Sequence, residues 1–203
     1  TIFAQYYPAR GATLVTVIGD DHPGLFYRIA GAISLAGANI IDARIHTTRV
    51  GKAVDNFLVQ DPLGKPFQER DQLTRLQTTI EDALVGKIEL VPQLAKRPLA
   101  RPRAESFEVR PTVLFDNKAS GRFTVIEVTA RDRPALLNKL ARTLFECRLM
   151  VNSAHITHYG ERAVDNFYVT DLLGGKVTNQ DRLKEVERAL LKAAGEPAET
   201  EAA

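Results

Sequence analysis

The chain contains its own repeat, and this constrains the fold more than any single motif. Residues 53–65, AVDNFLVQDPLGK, recur 110 positions later at 163–175 as AVDNFYVTDLLGG, with nine of thirteen positions identical. Further upstream the offset is 111: Asp21-His22-Pro23-Gly24-Leu25 matches Asp132-Arg133-Pro134-Ala135-Leu136. The offset changes near Gly51 and Gly160, where a glycine-bearing connection between two alternating runs accepts an insertion. A repeat of this length is one folding unit present twice, here about residues 13–95 and 123–195 of 203.

Both units carry the same pattern. Thr13-Leu14-Val15-Thr16-Val17-Ile18 alternates and is β-branched, as a strand requires. Asp21 is placed to cap a helix whose first turn takes Pro23. The helical stripe is Leu25, Phe26, Ile29, Ala30, Ile33 and Ala36, closed by Gly37. Its counterpart is Leu136, Leu137, Leu140, Ala141, Leu144 and Phe145. Ile41, Ala43 and Ile45 alternate with Asp42, Arg44 and His46, which predicts a strand with one wet face. Residues 53–61 give its hairpin partner, with Phe57, like Phe167, turned to the core. Leu73, Leu76, Ile80 and Leu84 predict a second helix, matched by Leu183, Val186, Leu190 and Leu191. The class is α+β, two tandem ferredoxin-like βαββαβ units. The boundaries are 11–95, a basic Pro-rich connector at 96–112, a second unit at 113–195 and a flexible tail at 196–203. The first unit's last strand has two candidate positions, 88–92 or 107–115, and the pattern leaves both open.

Composition excludes several classes. No apolar run approaches a membrane span, so no membrane partner is expected. A single cysteine, Cys147, forbids an internal disulfide and sits at the end of an apolar helix as a small hydrophobe. The net charge of +2 arises in KRPLARPR at Lys96–Arg103; without those four cations the balance is −2, so no broad nucleic-acid face is expected. The chain opens on Thr1, its only methionine is Met150, and no signal pattern precedes it; we expect a segment of a longer protein.

No nucleotide-binding glycine motif, nucleophile elbow or metalloprotease motif occurs, and the four histidines have no cysteine or carboxylate set to complete a metal site. No catalytic residue and no metal ligand is therefore expected. The turn Asp20-Asp21-His22-Pro23-Gly24-Leu25 carries the sharper expectation. A helix start offers unpaired N–H groups to a carboxylate, Gly24 admits a close backbone approach, and Asn39 with Ile40 would stand nearby. Such a site suits an α-amino acid. The same residues read equally well as an N-cap and a packing glycine.

Asp21-His22-Pro23-Gly24-Leu25, Ala38-Asn39-Ile40 and Asp55-Asn56-Phe57 resemble the ACT domain, a family of amino-acid-sensing regulatory modules. The tandem pair, from about Gly11 to Ala194, is similar to the C-terminal regulatory region of the bifunctional PII uridylyltransferase/uridylyl-removing enzymes. Further stretches carrying this are Gly37–Ile45, Val113-Leu114-Phe115-Asp116-Asn117 and Thr124-Val125-Ile126-Glu127-Val128. The resemblance implies a cytoplasmic segment with L-glutamine as effector, docking on catalytic domains of a parent chain whose substrate is the PII protein. It implies Mg2+ for those catalytic domains and no cofactor here. A ligand-free docking module and an RNA-binding pair are the alternative readings. Exposed edge strands would admit pairing between units or between chains, the latter giving a homodimer.

The second unit departs from the family pattern. Ala135 stands where the loop has Gly, Met150 where the first unit has Asn39, and Arg148 where it has Gly37. We therefore expect Asp132, Arg133, Pro134, Ala135 and Leu136 to form the weaker site. ACT units generally bind ligand where two units meet, so the resemblance also implies a contribution from Met150, Val151 and Asn152.

Overall fold

The computed structural model describes residues 1–22, 24–96 and 109–195. It divides into two compact units, Thr1–Leu94 and Ala95–Ala203. Most of the basic run Lys96–Arg103 and the tail at 196–203 lie outside the described residues, as does Pro23.

Unit 1 runs β1 (Ile2–Tyr7), β2 (Ala12–Asp20), α1 (Leu25–Leu35), β3 (Asn39–Arg44), β4 (Lys52–Gln60), α2 (Arg70–Leu84) and α3 (Leu90–Ala95). Its strands order as β1-β2-β4-β3, with every pairing antiparallel. Alternation along β2 and β4 sends Val15, Val17, Phe57 and Val59 to the face that also packs Ile29, Ile33, Leu76 and Ile80, all at most 3% exposed. Phe26 of α1 stacks on Phe57 with centroids 6.1 Å apart.

Unit 2 repeats the plan with β5 (Thr112–Asp116), β6 (Thr124–Arg131), α4 (Leu136–Glu146), β7 (Leu149–Tyr159), β8 (Arg162–Asp171) and α5 (Gln180–Gly195). Its strand order is β7-β8-β6-β5. Ile126, Val128, Phe167 and Val169 face Leu140, Leu144 and Leu190 in a core exposed by no more than 1% at any of these positions.

The position of the closing strand differs from both expectations. Residues 88–92 contain the start of α3, and Thr112–Asp116 pairs with β6 of the second unit. The edge beside the first core strand is filled in each unit by the strand that precedes it, β1 against β2 and β5 against β6. The sheet keeps the ferredoxin-like strand order while the edge strand arrives from the other end of the unit. Unit 1 accordingly includes β1 (Ile2–Tyr7), upstream of the expected boundary at Gly11.

Asp42 is a second departure. A bulge between Ile40 and Asp42 shifts the register, so Ile40 and Asp42 are buried and Ile41 is only partly so. Strict alternation put Asp42 in water because a bulge leaves no mark in the apolar pattern.

Candidate functional site

In unit 1 the loop after β2 is tied to the β3–β4 hairpin tip. Lys52 Nζ donates to Asp20 Oδ1 at 2.6 Å, which holds the Asp20 carboxyl below its usual range. The Asp21 N–H donates to the Gly51 carbonyl at 3.0 Å. Thr47 Oγ1 donates to Asp21 Oδ2 at 2.6 Å. Asp21 is thus not the expected cap. Gly24 occupies the N-cap of α1 at φ 84°, without a side-chain capping bond, and Leu25 lies buried behind it. His22 is exposed, and its carbonyl accepts from Leu25 N–H at 3.1 Å. The Arg28 N–H reaches back to the Gly24 carbonyl at 3.2 Å, which closes the first helical turn.

Unit 2 builds the same corner from other residues. The Asp132 N–H donates to the Glu161 carbonyl at 2.8 Å, and Arg131 pairs with the Glu161 side chain at 3.1 Å. His158 Nδ1 lies 3.2 Å from Asp132 Oδ2. In the repeat, Thr47 corresponds to His158 and Gly51 to Glu161, so both corners are held by equivalent positions. Arg133 is engaged with the Ala193 carbonyl near the end of α5, at 2.6 Å, where a cation suits the helix terminus. Pro134 is partly buried and Leu136 is buried. Ala135 takes the cap at φ 63°, keeping the left-handed turn that Gly24 provides in unit 1.

The second half of the expected set is not at this corner. Asn39 pairs with Gln60, whereas Asp20 pairs with Lys52, so Asn39 and Ile40 stand at the opposite end of β4 from the loop. Likewise Met150 and Val151 pair with Thr170 and Val169, at the far end of β8 from Arg131, and Asn152 sits in the bulge beside them. The physical reason is direct: a helix returns the chain to the start of a parallel strand, one sheet length away. Within one unit, the loop and the strand start do not meet. The residues that do meet the loop are Thr47, Gly51 and Lys52, or His158 and Glu161. Their one sequence signal was the offset change at Gly51 and Gly160, which read as a site of insertion.

Beneath each corner lies a buried carboxyl. Asp55 and Asp165, equivalent in the repeat, are each 1% exposed on the helix-facing side of β4 and β8. Asp55 Oδ1 receives the His46 N–H at 3.4 Å, while Asp55 Oδ2 and Asp165 Oδ1 have no hydrogen-bond partner. Burial pushes the pKa of each up to about 7; Asp21 adds to the rise at Asp55 and Asp132 at Asp165, while His158 opposes it. These were not singled out as site residues, because an Asp in an alternating strand reads as core-facing or wet only after the register is known.

An open groove of about 1220 Å³ lies elsewhere in unit 2, lined by Cys147, Arg148, Asp171, Leu172, Arg182 and Glu185, at the far end of the sheet from the Asp132 corner. Burial and Glu146 raise the Cys147 thiol, which suits its structural reading. Among the described residues, no group of three His, Cys, Asp or Glu side chains could hold a metal ion, and no helix is long and apolar enough to cross a membrane.

Comparison with known proteins gives these corners a family. The ACT domain model matches residues 13–65, and the model described as the ACR family N-terminal ACT domain matches 119–196. The chain is 71% identical over 194 residues to the bifunctional uridylyltransferase/uridylyl-removing enzyme of Novosphingobium aromaticivorans, covering 96% of this chain and 21% of that protein. The enzyme of the same description from Erythrobacter litoralis is 63% identical, with 99% and 22% covered. That from Zymomonas mobilis is 54% identical, with 92% and 20% covered. The chain thus spans about a fifth of the length of these relatives. Both halves of its repeat belong to the ACT family, and the chain is a tandem pair of ACT domains similar over nearly its whole length to a segment of bifunctional uridylyltransferase/uridylyl-removing enzymes.

Proposed function

We propose that this chain is the amino-acid-sensing segment of a cytoplasmic bifunctional uridylyltransferase/uridylyl-removing enzyme, with L-glutamine as its effector. The observation that carries this reading is the 71% identity spread over 96% of the chain, with the ACT pair intact. Catalysis, its Mg2+ and the PII protein substrate belong to the parent enzyme, and the segment acts by favouring one arrangement of that parent over another. Glutamine can shift such an equilibrium only through a difference in its affinity for the two arrangements. The β2–α1 corner supports an amino-acid ligand: a helix start suits a carboxylate, and Asp21 close by suits an ammonium. Unit 1 is the stronger candidate, because Gly24 supplies the left-handed turn without the methyl that Ala135 carries.

A thermal-shift screen of the twenty amino acids against the 203-residue chain, with an RNA oligonucleotide as control, tests the reading. Glutamine alone should raise Tm, and calorimetry should return a saturable heat. Silence to every amino acid removes the autonomous sensor and leaves the ligand-free docking module. A shift with RNA would install the third reading.

A further inference from the structure

The two corners are built alike but latched by different chemistry. In unit 1 the loop aspartate, Asp21, accepts from a hydroxyl, Thr47 Oγ1, at 2.6 Å. In unit 2 the equivalent aspartate, Asp132, faces an imidazole, His158 Nδ1, at 3.2 Å. A hydroxyl donates at every physiological pH; an imidazole brings a positive charge only while protonated. Below the second latch lies Asp165, 1% exposed, with one carboxyl oxygen unpartnered.

We propose that Asp132, His158 and Asp165 form a proton-operated latch on the β6–α4 loop of unit 2, and that the matching loop of unit 1 has a latch whose donor does not titrate. Protonated His158 draws Asp132 down onto the hairpin and separates it from Asp165. When His158 loses its proton and Asp165 ionises, two carboxylates face one another with no cation between them, and the loop is pushed outward. The other charged groups at this corner have partners outside the latch: Arg131 pairs with Glu161, Arg162 lies over the Tyr159 ring, and Arg133 is committed to the Ala193 carbonyl of α5. In unit 1 the corresponding neighbours are the Asp20–Lys52 pair, His46 at the strand end and Asp55 beneath Asp21.

The direction follows from the surroundings. The bond to Asp132 raises His158 above its ordinary value, and Asp165 raises it further. The charged latch is therefore complete below about pH 6.5 and is lost as pH rises through the raised value. Asp165 gives up its proton at about 7, in the same window; its charge repels Asp132 while favouring the proton on His158.

Amide exchange of the 203-residue chain, corrected for intrinsic rates and followed from pH 5.5 to 8.5, reads the two loops separately. Residues 132–136 should lose protection by roughly two- to five-fold across the window, the worth of a partly exposed charged pair. Residues 21–25 should show a smaller inflection, because Asp55 titrates at about 7 beneath Asp21 while Thr47 Oγ1 keeps donating. The repeat supplies the controls. His158→Thr installs the residue that unit 1 already folds with and should reduce the unit 2 inflection to that of unit 1. Thr47→His should enlarge the inflection of unit 1. Asp132→Asn should lower the His158 titration midpoint seen by imidazole NMR. A flat unit 2 profile in the unsubstituted protein, or an inflection undiminished by His158→Thr, overturns the latch. The readout is loop opening rather than ligand binding, so a failure of the glutamine screen leaves this inference standing, and the reverse also holds.

Discussion

At the scale of single residues, the repeat works as an internal mutagenesis experiment. Among the described residues, the non-glycine residues at positive φ are Ala135 at 63° and Arg148 at 57°, and their equivalents in unit 1 are Gly24 and Gly37. The backbone has kept both left-handed turns, and an L-residue there costs roughly 1–2 kcal/mol, part of which glycine would return as unfolded-chain entropy. Ala135→Gly and Arg148→Gly should each stabilise the protein by about 1 kcal/mol in urea unfolding. Gly24→Ala should do the opposite, since its new methyl carbon would also sit 2.5 Å from Tyr27 Cε1 and force that ring aside. A stability left unchanged by Ala135→Gly would show that the loop has relaxed its strain elsewhere. The buried carboxyls give a second residue-scale prediction. With Asp55 and Asp165 near 7 when folded and near the ordinary 3.8 when unfolded, the folded state holds more protons in between. Stability should therefore fall as pH rises from about 4 to about 7 and then level off. Asp55→Asn with Asp165→Asn should flatten that slope in denaturant midpoints at pH 4.5, 6 and 7.5. An unchanged slope would mean that water or a neighbour satisfies the carboxyls when they ionise.

Among elements, the ties from β2 and β6 to the segments before α2 and α5 show what the sequence pattern could and could not convey. Thr13 Oγ1 donates to the Phe67 carbonyl at 2.9 Å and accepts the Phe67 N–H at 2.7 Å, while Thr124 Oγ1 accepts the Val177 N–H at 2.9 Å. Both threonines are fully buried. Replacing Thr13 by Val should cost about 1–3 kcal/mol, because two buried backbone groups of Phe67 lose their partner while the side-chain shape is kept. A loss confined to a few tenths would show that the segment before α2 is held by packing alone. The helices and core strands were legible from periodicity, since Ile29, Ile33, Leu76 and Ile80 recur at helical spacing and all lie in the core. Phe57 and Phe167 were correctly turned inward by their alternation with Asn56 and Asn166. The edge strand was not legible. Ile2–Tyr7 alternates weakly and is mostly exposed, so nothing marks it until β2 is seen to need a partner. Half of the candidate site was equally hidden. Asp20 to Leu25 formed a corner, but which residues meet it depends on strand direction and register. As the start of the second strand Asn39 was expected near the loop, whereas pairing with Gln60 puts it a sheet length away within the unit.

At the scale of the whole chain, what the repeat doubles is a fold, while its chemistry diverges at the corners. One unit carries Gly24, Thr47 and Gly51; the other carries Ala135, His158 and Glu161. If glutamine is the effector, Gly24→Ala should weaken its binding in calorimetry at least ten-fold, while enlarging Ala135 to Val should have the smaller effect. Equal losses would mean that the two loops share the work. The strand that closes each sheet has a further consequence, one of timing. In unit 1, Ile2 pairs with Val17 and Tyr7 with Ala12, joined by the 3-10 turn Pro8–Arg10. A closing strand after α2 would have had to find β2 across some seventy residues; this one finds it across a handful. The entropy of closing that loop is smaller by roughly 2 kcal/mol, and the search is correspondingly faster. In unit 1 the rim of the sheet is thus a local contact, whereas a closing strand after α2 would have been a long-range one.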